Sequence, residues 1–421
     1  MSGDATPARQ LALSALKQVL NDKKFLTDVE LSGPVEDQAR AQSLARGVLR
    51  FITRLDSVLE SFLKKRPPTA VMHILRIGSF EILVEKGADH AVVDQAVRLT
   101  KGNSKTAGFK GLVNAVCRKL ATAEAQEVFS TTTAPMLPNA FLGQMKSIEE
   151  DAFQNISNAH QKGAPIDITL KDIELSSYYA EKFDAARLPT GSLRLKTPTQ
   201  ISKLDGFVDG KWWVQDAAAA MPARLLGIQK GMRVLDLCAA PGGKTLQLAS
   251  MGADVVALDI SNSRMQTLRE NLKRCRLEAE IIVKDALLHD REQYDAILLD
   301  APCSASGTIR RHPELPILKA NMDLGALLTL QKDLLARATA LLKPGAEIVY
   351  ATCSLFDAEG IAQAEWAEKK LSLTPAKFDA ENFGLSNAFQ PAPHCLRLRP
   401  DYWPDLGGMD GFFMAKFTKT G

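Results

Sequence analysis

Two cysteines are the residues of this chain best suited to chemistry. Cys303 stands in Asp300-Ala-Pro-Cys-Ser and Cys353 in Ala-Thr-Cys-Ser, fifty residues apart. Each follows an apolar, β-prone run, residues 294–299 before the first and 346–350 before the second. Open α/β sheets place their chemistry at the C-terminal ends of strands. Fifty residues allow one strand–helix–strand excursion, so both thiols are expected to face one cleft, one as nucleophile and one as helper. Methyl transfer to nitrogen or oxygen needs no thiol. Carbon 5 of a pyrimidine does, because it is a poor nucleophile until a thiolate adds to carbon 6, which divides one hard step into easier ones. The carbon 5 proton must then leave so that the thiolate can be eliminated, and a second cysteine suits that stage. Asp300 can hydrogen-bond a cytosine ring and stabilise the charge that develops during addition. A free thiol has a pKa of about 8.5, so the nucleophile needs help, and Lys244 and a helix N-terminus are the candidates. The bland alternative is that both are buried strand-end cysteines; two in these contexts outweigh it.

The loop that accompanies them is Cys238-Ala239-Ala240-Pro241-Gly242-Gly243-Lys244-Thr245, between a strand pattern over 233–238 and a helix from Lys244. A P-loop requires G-x-x-x-x-G-K-[ST]; Gly243-Lys244-Thr245 match, but Cys238 replaces the first glycine, and no G-x-G-x-x-G is present. Asp259, Asp285 and Asp300 end three successive strands. Acids there suit S-adenosylmethionine, with Asp259 placed for the ribose hydroxyls and Asp285 for the adenine amino group. Taken singly, each is more often a turn former or cap.

Residues 7–128 read as successive helices with apolar stripes of period near 3.6, over 8–20, 38–62, 70–85, 91–101 and 109–123. Pro67-Pro68 separates the second from the third. Residues 130–138 are a linker by composition. A small α/β subdomain is expected over 138–205, with strands near 165–171 and 191–196 and a helix near 178–186. From 206 to 421 strands alternate with helices, which predicts a mainly parallel doubly wound sheet. The fold class is therefore multidomain: an all-α bundle over 1–130, the small α/β segment, and a Rossmann-like α/β domain over 206–421.

A chain of 421 residues exceeds one compact core. No apolar stretch approaches the roughly 18 residues of a membrane span, and the first residues do not read as a signal peptide. Six cysteines without a CxxC pair, and histidines without ligand spacing, predict no metal and a reducing, cytoplasmic compartment. Residues 1–130 carry 19 Lys/Arg against 14 Asp/Glu, while the whole chain nets only +3. A modestly basic N-terminal part fits a polyanionic partner. Arg310, Arg311 and His312, just after the Pro-Cys-Ser loop, are candidates for phosphate contact.

Segment 206–421 closely resembles the Fmu/Sun (RsmB-like) RNA cytosine-carbon-5 methyltransferases. The resemblance rests on Asp236-Leu-Cys-Ala-Ala-Pro-Gly-Gly-Lys-Thr245, Asp300-Ala-Pro-Cys-Ser304, Gly307-Thr-Ile-Arg-Arg-His-Pro313 and Tyr350-Ala-Thr-Cys-Ser354. It implies Cys353 as nucleophile and Cys303 as the cysteine assisting product release. It also implies S-adenosylmethionine contacts at Cys238–Lys244, Asp259, Asp285 and Asp300. The N-terminal part looks like a NusB-like RNA-binding domain, through Ala45-Arg-Gly-Val-Leu-Arg50, His90-Ala-Val-Val-Asp-Gln95 and Gly111-Leu-Val-Asn-Ala-Val-Cys-Arg118. This pairing implies small-subunit ribosomal RNA as substrate. Transfer RNA, a P-loop NTPase and a non-catalytic RNA-binding factor are the alternatives. The chain departs from the family pattern in the middle, where Ile166-Asp-Ile-Thr-Leu-Lys171 replaces an Asn-x-Arg strand. After Thr-Cys-Ser, Glu359-Gly360 replaces an acidic-Asn dipeptide.

Overall fold

The apolar stripes of the N-terminal part become α1 (Thr6–Leu20), α2 (Val35–Phe62), α3 (Thr69–Leu83), α4 (Asp89–Lys101), α5 (Lys110–Leu120) and α6 (Ala123–Thr131). They are taken from a computed structural model that describes residues 6–197, 200–290 and 293–421. The expectation about the first residues falls on 1–5 and lies outside the described chain. Pro68 is the N-cap of α3, where its fixed φ and missing N–H cost nothing. Every residue of α3 from Val71 to Leu83 is buried, as in a helix surrounded by others. Its charges are therefore paired. Arg76 grips both oxygens of Asp56 at 2.8 and 2.6 Å, and Glu81 accepts from Arg9 at 2.9 and 2.5 Å. Where α2 meets α3, a Cβ on Gly47 would lie 2.1 Å from the Phe80 ring, so a larger residue would have to push that ring aside. Among the described residues no helix is long and apolar enough to cross a membrane.

The chain forms two compact units. The first runs to Asn139 and adds Phe153–Gly163 and Arg311–Asn321; the second holds Ala140–Ala152, Ala164–Arg310 and Met322–Gly421. These bounds differ from the expected 1–130, 138–205 and 206–421. Two short pieces from later in the chain join the helical unit. The middle segment also does not close on itself: β1 (Ile166–Leu170) pairs with β4 (Trp212–Val214), beyond residue 205.

That small antiparallel sheet has the order β2-β3-β1-β4, with β2 at Ala185–Arg187 and β3 at Leu193–Leu195. Asp167 of β1 stands opposite Arg194 of β3. They form a buried ion pair, with both oxygens accepting at 2.7 Å. Asp167 also accepts from the Ala217 N–H at 3.0 Å, and Arg194 donates to the carbonyls of Leu406 and Gly408 at 2.6 Å each. One pair thus ties the small sheet to the loop leading into the last strand.

The large sheet has the order β10-β12-β9-β8-β5-β6-β7, with β11 beside β12. Its parallel strands are β5 (Arg233–Leu237), β6 (Asp254–Asp259), β7 (Glu280–Val283), β8 (Tyr294–Asp300) and β9 (Leu342–Thr352). The expected Rossmann-like α/β class is observed. The remaining strands, β10 (Leu373–Pro375), β11 (Cys395–Leu398) and β12 (Phe412–Lys419), pair antiparallel. Strand order reverses between β5 and β8, which is where such sheets open a crevice at their C-terminal ends.

Candidate active site

Each expected site residue of this sheet leaves the C-terminal end of a strand. The loop after β5 begins at Cys238, whose φ of +61° turns the chain sharply, and Gly242 at φ +106° enters the helix Gly243–Ser250. A Cβ on Gly242 would meet Leu268 Cδ1 at 2.3 Å, so glycine is required there for conformation and space alike. Asp259 at the end of β6 fastens this loop. One oxygen accepts from the Ala240 N–H at 3.1 Å and the other from the Ser261 N–H at 2.8 Å. Asp285 accepts from the Leu287 N–H at 2.9 Å, capping a 3₁₀ turn. Asp236, fully buried inside β5, accepts from Thr245 Oγ1 at 2.6 Å, and its other oxygen has no hydrogen-bond partner among the described residues. Burial raises its pKa to about 7. Burial, followed by the nearby carboxylates, likewise pushes the Cys238 thiol up. Ala239 and Ala240 are buried, while Pro241 is exposed.

The two cysteines meet. Cys303 Sγ and Cys353 Sγ are 3.4 Å apart, after β8 and β9 respectively. Asp300, at the end of β8, accepts from Lys244 Nζ at 2.7 Å. Burial opposes the Lys244 charge, but Asp300 first, then Asp236 and a Cys353 thiolate, more than reverse that and hold its pKa above the ordinary value. The hydrogen bond with Cys353, then burial, push Cys303 well above the usual thiol range. Cys303 is therefore a neutral thiol at neutral pH. The loops that carry the thiols are locked from behind. The Gly307 N–H donates to the Cys353 carbonyl at 3.0 Å, and the Gly411 N–H donates to the Gly307 carbonyl at 2.8 Å. A Cβ on Gly307 would fall 2.0 Å from the Gly411 oxygen.

Residues 223–418 match the family model of the 16S rRNA methyltransferases RsmB/F, and residues 6–122 match that of the NusB family. A ribosomal RNA small subunit methyltransferase B from Klebsiella pneumoniae is 33% identical over 439 residues, covering 98% of both chains. Its counterpart from Vibrio cholerae is 33% identical over 436 residues, covering 98% of this chain and 97% of that one. The chain belongs to the RsmB/F methyltransferase family. A solved methyltransferase homolog from Pyrococcus horikoshii, 27% identical with a TM-score of 0.54, covers 66% of this chain and 94% of its own. RsmB/F membership makes the protein a methyltransferase and leaves the P-loop NTPase and the non-catalytic factor without support.

One expectation for this RsmB/F chain is corrected. Arg310 is fully buried, donates to the Gly407 carbonyl at 2.7 Å and packs against Gly408. It holds the C-terminal loop and does not present itself to a phosphate. Arg311 and His312 are half-buried and belong to the other unit, where His312 Nδ1 lies 3.7 Å from Glu314. Glu359, seen in the sequence only as a departure from the family pattern, is a hub. Its side chain is fully buried and accepts from the Ser304 N–H at 2.8 Å, Ser354 Oγ at 2.6 Å and Gln331 Nε2 at 3.1 Å. Its one sequence signal is an acid just before a helix that follows the second cysteine.

Proposed function

We propose that the protein methylates carbon 5 of a cytosine in small-subunit (16S) ribosomal RNA through a covalent adduct on Cys353, with S-adenosylmethionine as methyl donor. The observation that carries the reading is the 3.4 Å approach of two thiols at neighbouring strand ends, beside the Asp300–Lys244 pair. Membership of the 16S rRNA methyltransferase family RsmB/F supports the ribosomal RNA, and the NusB-type helical unit supports RNA as partner. The target must leave its stack to reach such a site, so a single-stranded or loop cytosine is the substrate.

The chain's residues fit the cofactor. Acids end β6 and β8, a third follows β7, and among the described residues Asp236 keeps one buried oxygen unpartnered. Cys238–Lys244, Asp259, Asp285 and Asp300 would hold it. Bound S-adenosylmethionine supplies an electrophilic methyl group. Cys353 Sγ gives up its proton and adds as thiolate to carbon 6, and the ring π electrons move toward carbon 5 and N3. Asp300, kept in place by Lys244, hydrogen-bonds the cytosine edge and orients it. Cys303 then serves release. While Cys353 is free, the bond between the sulfurs is the first cause keeping Cys303 protonated. Adduct formation occupies Cys353 and removes that cause. Cys303 can then give up its own proton to solvent and, as thiolate, take the carbon 5 proton; the C5–C6 double bond re-forms and the Cys353–carbon 6 bond breaks, its electron pair returning to Cys353 Sγ. Arg311 and His312 are the remaining candidates for phosphate contact.

The test offers unmodified 16S RNA and transfer RNA to the purified protein with methyl-labelled cofactor, and maps the product by bisulfite sequencing. Label in 16S RNA at carbon 5 is expected. Cys353→Ala should transfer nothing and form no adduct. Cys303→Ala should accumulate a protein–RNA band that survives denaturation. Full activity in Cys353→Ala would end the covalent reading.

A further inference from the structure

Glu359 has a place in the cysteine pair that the proposed chemistry does not use. The Cys303 loop and the Cys353 loop each continue into serine, and these serines converge. Ser304 Oγ donates to Ser306 Oγ at 3.1 Å, Ser306 Oγ lies 3.0 Å from Ser354 Oγ, and Ser354 Oγ donates to Glu359 Oε2 at 2.6 Å. An ionised carboxylate only accepts. Ser304 Oγ also lies 3.1 Å from Ser354 Oγ, so the three hydroxyls close a triangle. With the Ser354 proton committed to Glu359, Ser354 can only accept from the other two, and the carboxylate fixes that corner of the triangle. Its other oxygen accepts from the Ser304 backbone N–H, the residue after Cys303, and from Gln331, whose Nε2 also donates to the Pro302 carbonyl just before Cys303 at 3.0 Å. The Glu359 carbonyl closes the ring, accepting from Tyr350 Oη at 2.8 Å and Thr352 Oγ1 at 3.3 Å on β9. All four groups of the chain, Ser304, Ser306, Ser354 and Glu359, are at most 1% exposed, so water cannot replace any of these partners.

We propose that Glu359 is a positioning residue: its carboxylate, by holding Ser304 and Ser354 at once, fixes the separation of the Cys303 and Cys353 thiols. It touches neither sulfur; it joins the residue following each. The assignment rests on the proposed function for what the two thiols do, but the geometry it predicts can be read without RNA.

Glu359→Gln is nearly isosteric. Its amide oxygen can keep the Ser304 N–H, but its NH₂ then faces Ser354 Oγ, which can no longer donate there. The first assay reads the thiols directly. The full-length protein is treated with diamide, a diazene that takes two protons and two electrons from the thiols and becomes a hydrazine as they become a disulfide. Closure of the Cys303–Cys353 bond is followed by peptide mapping. Glu359→Gln should close it at least ~10-fold more slowly than wild type, because exchange depends on access between sulfurs held in place. The second assay reads transfer, where kcat should fall about 10- to 100-fold with KM for RNA held within about 2-fold, as expected of misplacement and not of lost binding. If Glu359→Gln does not fold, Ser354→Ala, which removes the same link from the Cys353 side, is read by the same two assays. Equal closure rates in wild type and variant overturn the positioning role whatever transfer does. Slower closure together with full activity in Cys353→Ala would keep the positioning role and remove the reading of what the thiols do.

Discussion

At the scale of single residues, the site was legible where a residue's type is unusual for its surroundings. Two cysteines after β-prone runs announce themselves, and their meeting at 3.4 Å follows from β8 and β9 being parallel neighbours. Residue type misled at Arg310, because an arginine beside a reactive loop reads as a phosphate ligand. Its partner is the carbonyl of Gly407, 97 positions away, and nothing local signals that bond. Asp300 shows how role and pairing combine. It accepts from Lys244 Nζ at 2.7 Å, and the Lys244 charge is sustained first by that carboxylate against burial. Asp300→Asn keeps the shape and removes the charge. A partly buried ammonium then loses its counter-ion, and the substrate edge loses an ionic acceptor. The methyl-transfer rate should fall at least ~100-fold, the scale of losing a preorganised electrostatic partner. A steady-state assay against folded variant protein, checked by circular dichroism, measures it. A loss below about 3-fold would show that Asp300 does not act on the ring.

At the scale of elements, periodicity placed the long pieces. The helices of the first unit fall within a few residues of the apolar stripes, and β5, β6, β8 and β9 coincide with the buried runs, because each long element must bury one face or both. Short edge pieces escaped. β2, β10 and β11 span three, three and four residues, too few for a period, and exist because β3 and β12 offer them an edge. The Asp167–Arg194 pair was equally hidden, since it joins two strands 27 positions apart. What the elements accomplish for the site is concentrated in Gly307. It bridges the Cys353 carbonyl and the start of β12 through Gly411. A Cβ there would lie 2.0 Å from a backbone oxygen, which no side-chain motion relieves. Gly307→Ala must push the Cys303 and β12 loops apart. We expect about 2 kcal/mol or more of destabilisation and a loss of transfer out of proportion to it, while Gly231→Ala near the sheet's opposite end, with open space around its Cβ, should cost only its strained φ of +85°. Urea melts and transfer rates on the two variants make the comparison.

At the scale of the whole molecule, the two units carry buried titrating groups whose linkage runs in opposite directions. In the helical unit, Arg76 donates to His73 Nδ1 at 3.2 Å, so the neutral ring holds its proton on Nε2, facing Asn21 Oδ1 at 3.4 Å. Burial, reinforced by Arg76, lowers its pKa to about 4. The unfolded chain takes up that proton near pH 6.5 and the folded chain does not, so this stabilisation is present above pH 6.5 and is lost as pH falls toward 4. In the other unit, burial raises the Asp236 carboxyl to about 7. Here the folded state keeps a proton that the unfolded state releases near pH 4, so stability rises as pH falls from 7 toward 4. Between pH 7 and pH 5 each effect is roughly 2 kcal/mol, one unfavourable and one favourable. The unfolding of the chain as a whole should therefore change little while its units diverge. Hydrogen exchange followed by mass spectrometry reads them separately. At pH 5, after correction for intrinsic rates, protection should drop in Thr69–Leu83 and increase in Arg233–Leu237. His73→Gln should abolish the first change and leave the second. Asp236→Asn should do the reverse. Parallel movement of both segments in wild type, unaltered by either substitution, would mean that other groups govern the acid response of this protein.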